Sequence, residues 1–348
     1  MNKRDKRRHT VELKYNHERL DRVVVVRNGE WESPGSEAVS FMISGFNESE
    51  QSMQERQDDV GAGTTIVYIS RRQTAAGEPA SGLTRQTLNE QAVEVVHMIS
   101  AYLDAHPNRF KWAVVHGHSM GSVIALRILP LLRALHAKIV WHVIAEAPPP
   151  WERAPLWFSN KSFWGNGGWA ALRDAMRALA TNHSSGKEGM IANSDTLYRL
   201  YAGSQPERED FEAAYLSAIP DAPLAFMELA FKSGLGNEIE VRRALHEGQL
   251  QLASSSTPML QIVCFVEDRI FDWQRIIKGM EREARMLTVH GPDGEPLISD
   301  IEPRKDTGPT VHVDCVASLP HVPGWGTDTS AKLKYFHAVY NCYRRIMI

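Results

Sequence analysis

Two kinds of hydrophobic pattern alternate along the first part of this chain. Short, nearly continuous apolar runs recur at Val39-Ser40-Phe41-Met42-Ile43, Thr64–Ile69, Trp112-Ala113-Val114-Val115 and Ile139–Ala145. Runs of this length, apolar at nearly every position, predict strands buried on both faces. Between them the period changes to that of a helix. Leu88, Ala92, Val95, Val96, Ile99 and Leu103 mark one helical face, and Thr87-Leu88-Asn89-Glu90 ahead of them has the form of a capping box. A second apolar run, Val123–Leu132, follows Trp112–Val115 after a stretch of small and polar character. Residues 10–29 read as two strands around a turn near Asn16-His17. Strands alternating with helices in this way predict an α/β domain with a mostly parallel sheet covered by helices.

After Pro148-Pro149-Pro150 the strands stop. Residues 151–256 read as helices and loops, with Trp169, Leu172, Met176 and Leu179 as one expected stripe and Phe211, Tyr215 and Leu224–Phe231 as further apolar surface. Trp151, Trp157, Phe158, Phe163 and Trp164 belong to the same segment. The α/β alternation returns with the strand Met259–Phe265, a helix carrying Trp273, Ile276, Ile277 and Met280, and the strand Val311–Val316. Residues 286–308 form an excursion with a turn at Pro292-Asp293-Gly294-Glu295, read as a surface loop or a hairpin that pairs subunits. A last helix is expected to bury Leu333, Phe336, Val339, Tyr340 and Tyr343. The core is thus residues 10–150 and 257–348, interrupted by the helical segment 151–256.

Composition narrows the class. The 348 residues are 43% hydrophobic and 23% charged, which is that of an ordinary globular chain with a sizeable core. A net charge of −3 argues against a dedicated nucleic-acid binder. Lys3, Arg4, Lys6, Arg7 and Arg8 are a local exception, expected to be a solvated, disordered arm over residues 1–9. The 3 cysteines, Cys264, Cys315 and Cys342, all lie in apolar segments, which fits reduced core thiols in a cytoplasmic protein better than disulfides. No cysteine pair has metal-ligand spacing, and no stretch is long and apolar enough for a membrane span.

The segment between the Trp112–Val115 strand and the Val123–Leu132 helix contains Gly117-His118-Ser119-Met120-Gly121. It matches G-x-S-x-G in the strand–turn–helix context where that motif makes a nucleophile elbow. A serine hydroxyl needs a general base within hydrogen-bond reach and a carboxylate to orient that base. In this strand–helix order the acid is expected after a late strand and the histidine after the last one. Asp268 follows Met259–Phe265, and His321 follows Val311–Val316. The order Ser119, Asp268, His321 results. Glu146, just after Ile139–Ala145, is the rival acid, and Asp272 ranks behind it. Of the 14 histidines, His116 and His118 flank the elbow without facing the hydroxyl, and His312 sits inside a strand.

With these pieces the sequence resembles the α/β-hydrolase fold superfamily, in its capped, esterase-like branch. The resemblance covers roughly residues 20–150 and 257–345. Gly117–Gly121 matches the elbow, Val266-Glu267-Asp268-Arg269-Ile270-Phe271 the acid turn, and Pro320-His321-Val322-Pro323 the histidine loop. Ser44-Gly45-Phe46-Asn47 matches the oxyanion loop, with Ser44 in place of the usual histidine. Pro320 stands where glycine is common. The resemblance implies a helical cap at 151–256 and an oxyanion hole from the backbone N–H groups of Phe46 and Met120, with Gly45 allowing close approach.

The reaction so implied is hydrolysis of a carboxylic ester or thioester through an acyl-enzyme, with no metal or organic cofactor. The expected partner is a small ester-like molecule with an apolar group, and a homo-oligomer is compatible with the sequence. An acyltransferase and a carbon–carbon bond hydrolase would use the same three side chains. A non-catalytic ligand-binding protein of the same fold is the alternative of another class.

Overall fold

The computed structural model describes residues 8–15, 18–27, 36–49, 53, 64–70, 79, 81–149, 151, 163–185, 187–201, 208–232, 236, 238–252, 254, 256–300, 302–319, 321–322 and 329–347. In chain order these form β1 (Arg8–Tyr15), β2 (Glu18–Arg27), β3 (Ala38–Ile43), β4 (Thr65–Ser70), α1 (Leu88–Asp104), β5 (Trp112–His118), α2 (Met120–Leu135) and β6 (Val140–Glu146). Helices α3 (Trp169–Ser185), α4 (Ser194–Tyr201), α5 (Arg208–Tyr215), α6 (Pro223–Phe231) and α7 (Glu238–Gln251) come next. The chain closes with β7 (Leu260–Phe265), α8 (Trp273–Glu283), β8 (Met286–His290), β9 (Pro296–Ser299), β10 (Thr310–Val316) and α9 (Thr329–Met347).

These ten strands make one sheet in the order β1-β2-β4-β3-β5-β6-β7-β10-β8-β9. From β4 to β8 every neighbouring pair is parallel, and the antiparallel pairs lie at the two edges. Every residue of β3, β4 and β7 is buried. Because successive side chains point to opposite faces, both faces of the central sheet are covered. The apolar runs therefore become the strands that the sequence predicts. The turn expected at Asn16-His17 and the arm residues 1–7 lie outside the described residues, while Arg8 and His9 open β1.

Helix α1 buries Leu88, Ala92, Val95, Val96, Ile99 and Leu103 as expected. It starts at the expected capping box. The Glu90 N–H donates to Thr87 Oγ1 at 3.1 Å, and the Thr87 N–H donates to Glu90 Oε2 at 2.7 Å.

Two expected stripes are corrected. Trp169 and Met176 of α3 are exposed, and the buried face is Ala171, Leu172, Ala175 and Ala178. Helix α3 packs on α6. In α9, Leu333 and Tyr340 are exposed, and the core takes Ala331, Tyr335, Ala338, Val339, Cys342, Tyr343 and Ile346. The excursion at 286–308 adds β8 and β9 to the sheet edge, with Gly294 in its turn at φ 79°. Alternate burial along β8 made it unreadable as a core strand.

Helices α3 to α7 lie between β6 and β7 in sequence, and α7 packs on α2 and β6. No helix among the described residues is long and apolar enough to cross a membrane. The three cysteine thiols are buried and form no disulfide.

Candidate active site

The parallel strands β3, β5, β6, β7 and β10 run in one direction, and the chain segments that leave their carboxyl ends share that end of the sheet. That end is where open α/β sheets carry ligands. Ser119 leaves β5 with φ 52° and ψ −118°, a positive-φ conformation that costs energy for a residue with a Cβ. Its N–H donates to the Glu146 carbonyl at 2.9 Å, and its own carbonyl accepts from the Ser122 N–H at 3.0 Å. A Cβ on Gly117 would collide with the Gly121 carbonyl, and one on Gly121 would collide with the Ile43 carbonyl. Both glycines of the motif are thus demanded by close backbone packing.

Ser119, His321 and Asp268 are brought together. His321 Nδ1 is 2.7 Å from Asp268 Oδ2, and Nε2 is 2.7 Å from Ser119 Oγ. A carboxylate accepts, so Nδ1 carries the proton and Nε2 is left to accept from the serine hydroxyl. The other oxygen of Asp268 accepts the Ile270 and Phe271 N–H groups at 2.7 and 3.0 Å, which fixes its direction. His321 is 1% exposed, with the rings of Tyr201, Phe271 and His118 at 5.3–5.4 Å. This burial holds its pKa below the ordinary 6.5, against the opposing pull of Asp268.

Glu146 does not reach His321. It is fully buried against His116, whose Nε2 donates to Oε1 at 2.5 Å, and it also accepts from the Tyr335 hydroxyl at 2.8 and 3.0 Å. The far side of the His116 ring meets the Tyr343 hydroxyl at 2.9 Å. Asp272 caps α8, its Oδ1 accepting from the Gln274 N–H at 2.9 Å.

Gly45 and Phe46 leave β3 beside the elbow. A Cβ built on Gly45 would sit 3.2 Å from Ser119 Cβ and 2.8 Å from His118 Nδ1. Met120 is the first residue of α2, a position whose N–H has no acceptor within the helix. The Phe46 carbonyl accepts from the Tyr201 hydroxyl of α4 at 2.9 Å.

Several site residues were missed by sequence reasoning. His118 Nε2 donates to the His321 carbonyl at 2.8 Å, and Nδ1 lies 2.8 Å from Glu48 Oε2. The same Glu48 oxygen accepts from the Gly45 N–H at 2.8 Å. Asn47, fully buried at φ 56°, ties the segment after β3 to the helices. Its amide donates to the Met190 and Ile219 carbonyls at 2.8 and 2.9 Å, and its Oδ1 accepts from the Ala192 N–H at 3.1 Å. Only the spacing of Gly45 and Glu48, which suits a turn, carries any local signal for these contacts.

Above Ser119 lies a narrow, almost filled apolar cavity of about 30 Å³. It is lined by Phe46, Phe163, Leu197, Leu200, Tyr201, Phe226, Leu229, Ile270 and Phe271 among others. A larger, open pocket of about 410 Å³ between Trp151, Met280, His246 and Lys305 includes neither Ser119 nor His321.

A mostly parallel sheet in this strand order, with a serine on a strained turn after its central strand, defines the α/β-hydrolase fold, and this chain has it. The structure is similar to a soluble variant of monoglyceride lipase from Saccharomyces cerevisiae, at TM-score 0.56 and 12% identity over 99% of this chain and 98% of that one. It is also similar to a proline iminopeptidase-related protein from Thermus thermophilus, at TM-score 0.54 and 12% identity over 98% of both chains. An esterase from Pyrococcus furiosus is similar at TM-score 0.50 and 14% identity, over 98% of this chain and 90% of that one. No protein-family model matches the sequence, and no curated protein matches it.

Proposed function

We propose that this protein is a serine hydrolase that cleaves carboxylic esters or thioesters through an acyl-enzyme. The observation that carries the reading is the row Ser119–His321–Asp268, with both links at 2.7 Å, at the floor of an apolar cavity. Ser119 Oγ attacks the carbonyl carbon while His321 Nε2 takes its proton. Asp268 holds the Nδ1–H tautomer and stabilises the imidazolium. The N–H groups of Phe46 and Met120 receive the oxyanion, and each such donor is worth ~3 kcal/mol in the transition state. His321 then returns the proton to the leaving alkoxide or thiolate. Water, deprotonated by the same nitrogen, releases the acid.

In this reading the helices of residues 151–256 act as a cap. Phe163, Ala171, Leu197, Leu200, Tyr201, Phe226, Leu229 and Ala230 supply most of the apolar cavity wall, which favours an apolar acyl or alcohol group. The fold is shared with a monoglyceride lipase and an esterase, in agreement with this chemistry.

The test is a panel of p-nitrophenyl esters of increasing chain length, with a fluorophosphonate probe as active-site label. Wild type should hydrolyse esters and be labelled, and Ser119→Ala should do neither. Labelling that persists in Ser119→Ala would overturn the assignment. Product masses with and without an added alcohol separate hydrolysis from acyl transfer.

A further inference from the structure

Away from Ser119, the edge of the sheet gathers two imidazoles and a carboxylate. His312 and Asp314 alternate on β10 and so share a face, and His290 on β8 stands in register with Asp314. His290 Nδ1 is 3.1 Å from His312 Nε2 and 3.1 Å from Asp314 Oδ1, and His312 Nε2 is 3.3 Å from that same oxygen. The three donor atoms form a nearly equilateral triangle.

Hydrogen bonding alone serves this triangle poorly. If both nitrogens carry protons, two N–H groups crowd one oxygen and face each other. If only one does, its proton serves the other ring or the carboxylate, and one edge of the triangle is left with two lone pairs facing each other. A cation held between the three atoms satisfies them all. A tetrahedral ion with bonds of about 2.0–2.1 Å to nitrogen and oxygen holds its ligand atoms about 3.3 Å apart, close to the observed spacings. Imidazole with carboxylate is a donor set suited to zinc and its first-row neighbours, not to magnesium or calcium.

The surroundings fit. Arg345 Nη1 of α9 donates to Asp314 Oδ2 at 2.7 Å, which leaves Oδ1 turned to the histidines, the role a supporting residue plays around a metal. Arg345 Nη2 also reaches Oδ1 at 3.3 Å, a contact that an ion would displace. The side chains of His290, His312 and Asp314 are 34%, 13% and 12% exposed, so an ion can enter and water can take the fourth corner.

We propose that His290, His312 and Asp314 form a binding site for a divalent transition-metal ion of the zinc type, joining β8 to β10. The site is independent of ester hydrolysis and makes no use of Ser119.

Calorimetric titration of the chelator-treated full chain with zinc chloride tests this, alongside thermal unfolding with and without zinc. Wild type should bind one ion per chain and unfold at a higher temperature when it is present, because the ion binds the folded state. His312→Asn and His290→Asn should each weaken binding more than tenfold and lose the thermal shift. His337→Asn, on the exposed face of α9, should change neither. If His312→Asn does not fold, His290→Asn at the exposed corner decides alone. Absence of a zinc site in wild type, retention of wild-type affinity in His290→Asn, or loss of binding in His321→Ala instead would each overturn the proposal.

Discussion

His118 Nδ1 lies 2.8 Å from Glu48 Oε2, and both side chains are buried beside Ser119. The pair joins two segments that leave different strands. Glu48 holds the Gly45 N–H, and the other nitrogen of His118 holds the His321 carbonyl. The segment proposed to bind the oxyanion and the loop that carries the proposed base are therefore set relative to each other through one imidazole. Misplacement of reacting groups by about 1 Å costs on the order of 10²-fold in rate. Glu48→Gln and His118→Phe are expected to lower kcat by roughly that factor with little change in KM. A matched rise in KM with kcat intact would show that the pair serves binding only.

Asp268 and Glu146 are separated by their partners, His321 and His116. Asp268→Asn should leave a folded protein whose kcat falls on the order of 10⁴-fold, since the wrong tautomer of His321 is then favoured. Glu146→Gln should keep fluorophosphonate labelling. Glu146→Ala, by stripping a fully buried partner from His116 and Tyr335, should cost about 3–5 kcal/mol in denaturant unfolding. The reverse pattern of labelling and rate would move the acid to Glu146.

The pH profile follows from His321. Burial lowers its pKa below 6.5, and the proposed base works only when neutral. As pH falls through that lowered value, Nε2 gains a proton and kcat/KM is lost. The acid limb should therefore have its midpoint below 6.5. A midpoint above that value, measured on a soluble ester, would contradict the burial of His321.

His142 sets a stability limit. It is buried in β6 with Nδ1 donating to the Pro258 carbonyl at 3.1 Å, and burial lowers its pKa to about 4. Its Nε2 has no hydrogen-bond partner among the described residues. The unfolded chain takes up a proton near 6.5 and the folded chain only near 4, so stability is full above the first value and is lost as pH falls between them. A shift of this size corresponds to roughly 3 kcal/mol. His142→Leu should flatten the fall in urea midpoint between neutral pH and pH near 4, and an unchanged fall would place the acid sensitivity elsewhere.

Local signals in the sequence were enough for the central strands, the capped helix α1 and the tight turn at Ser119. An unbroken apolar run, a Thr-x-x-Glu box and two glycines around a serine each state a requirement met within a few residues. Chain order added that Asp268 and His321 stand at strand ends. Tertiary structure alone decided how three buried histidines divide three carboxylates: His321 with Asp268, His116 with Glu146, His118 with Glu48. Those partners lie up to 70 residues apart, and all six side chains come from segments that meet only when the sheet assembles. The alanine face of α3, the links of Asn47 to the helices, and the pairing of β8 with β10 that brings His290 to Asp314 were equally hidden. Each depends on which surface another element presents, and periodicity along one element does not record that.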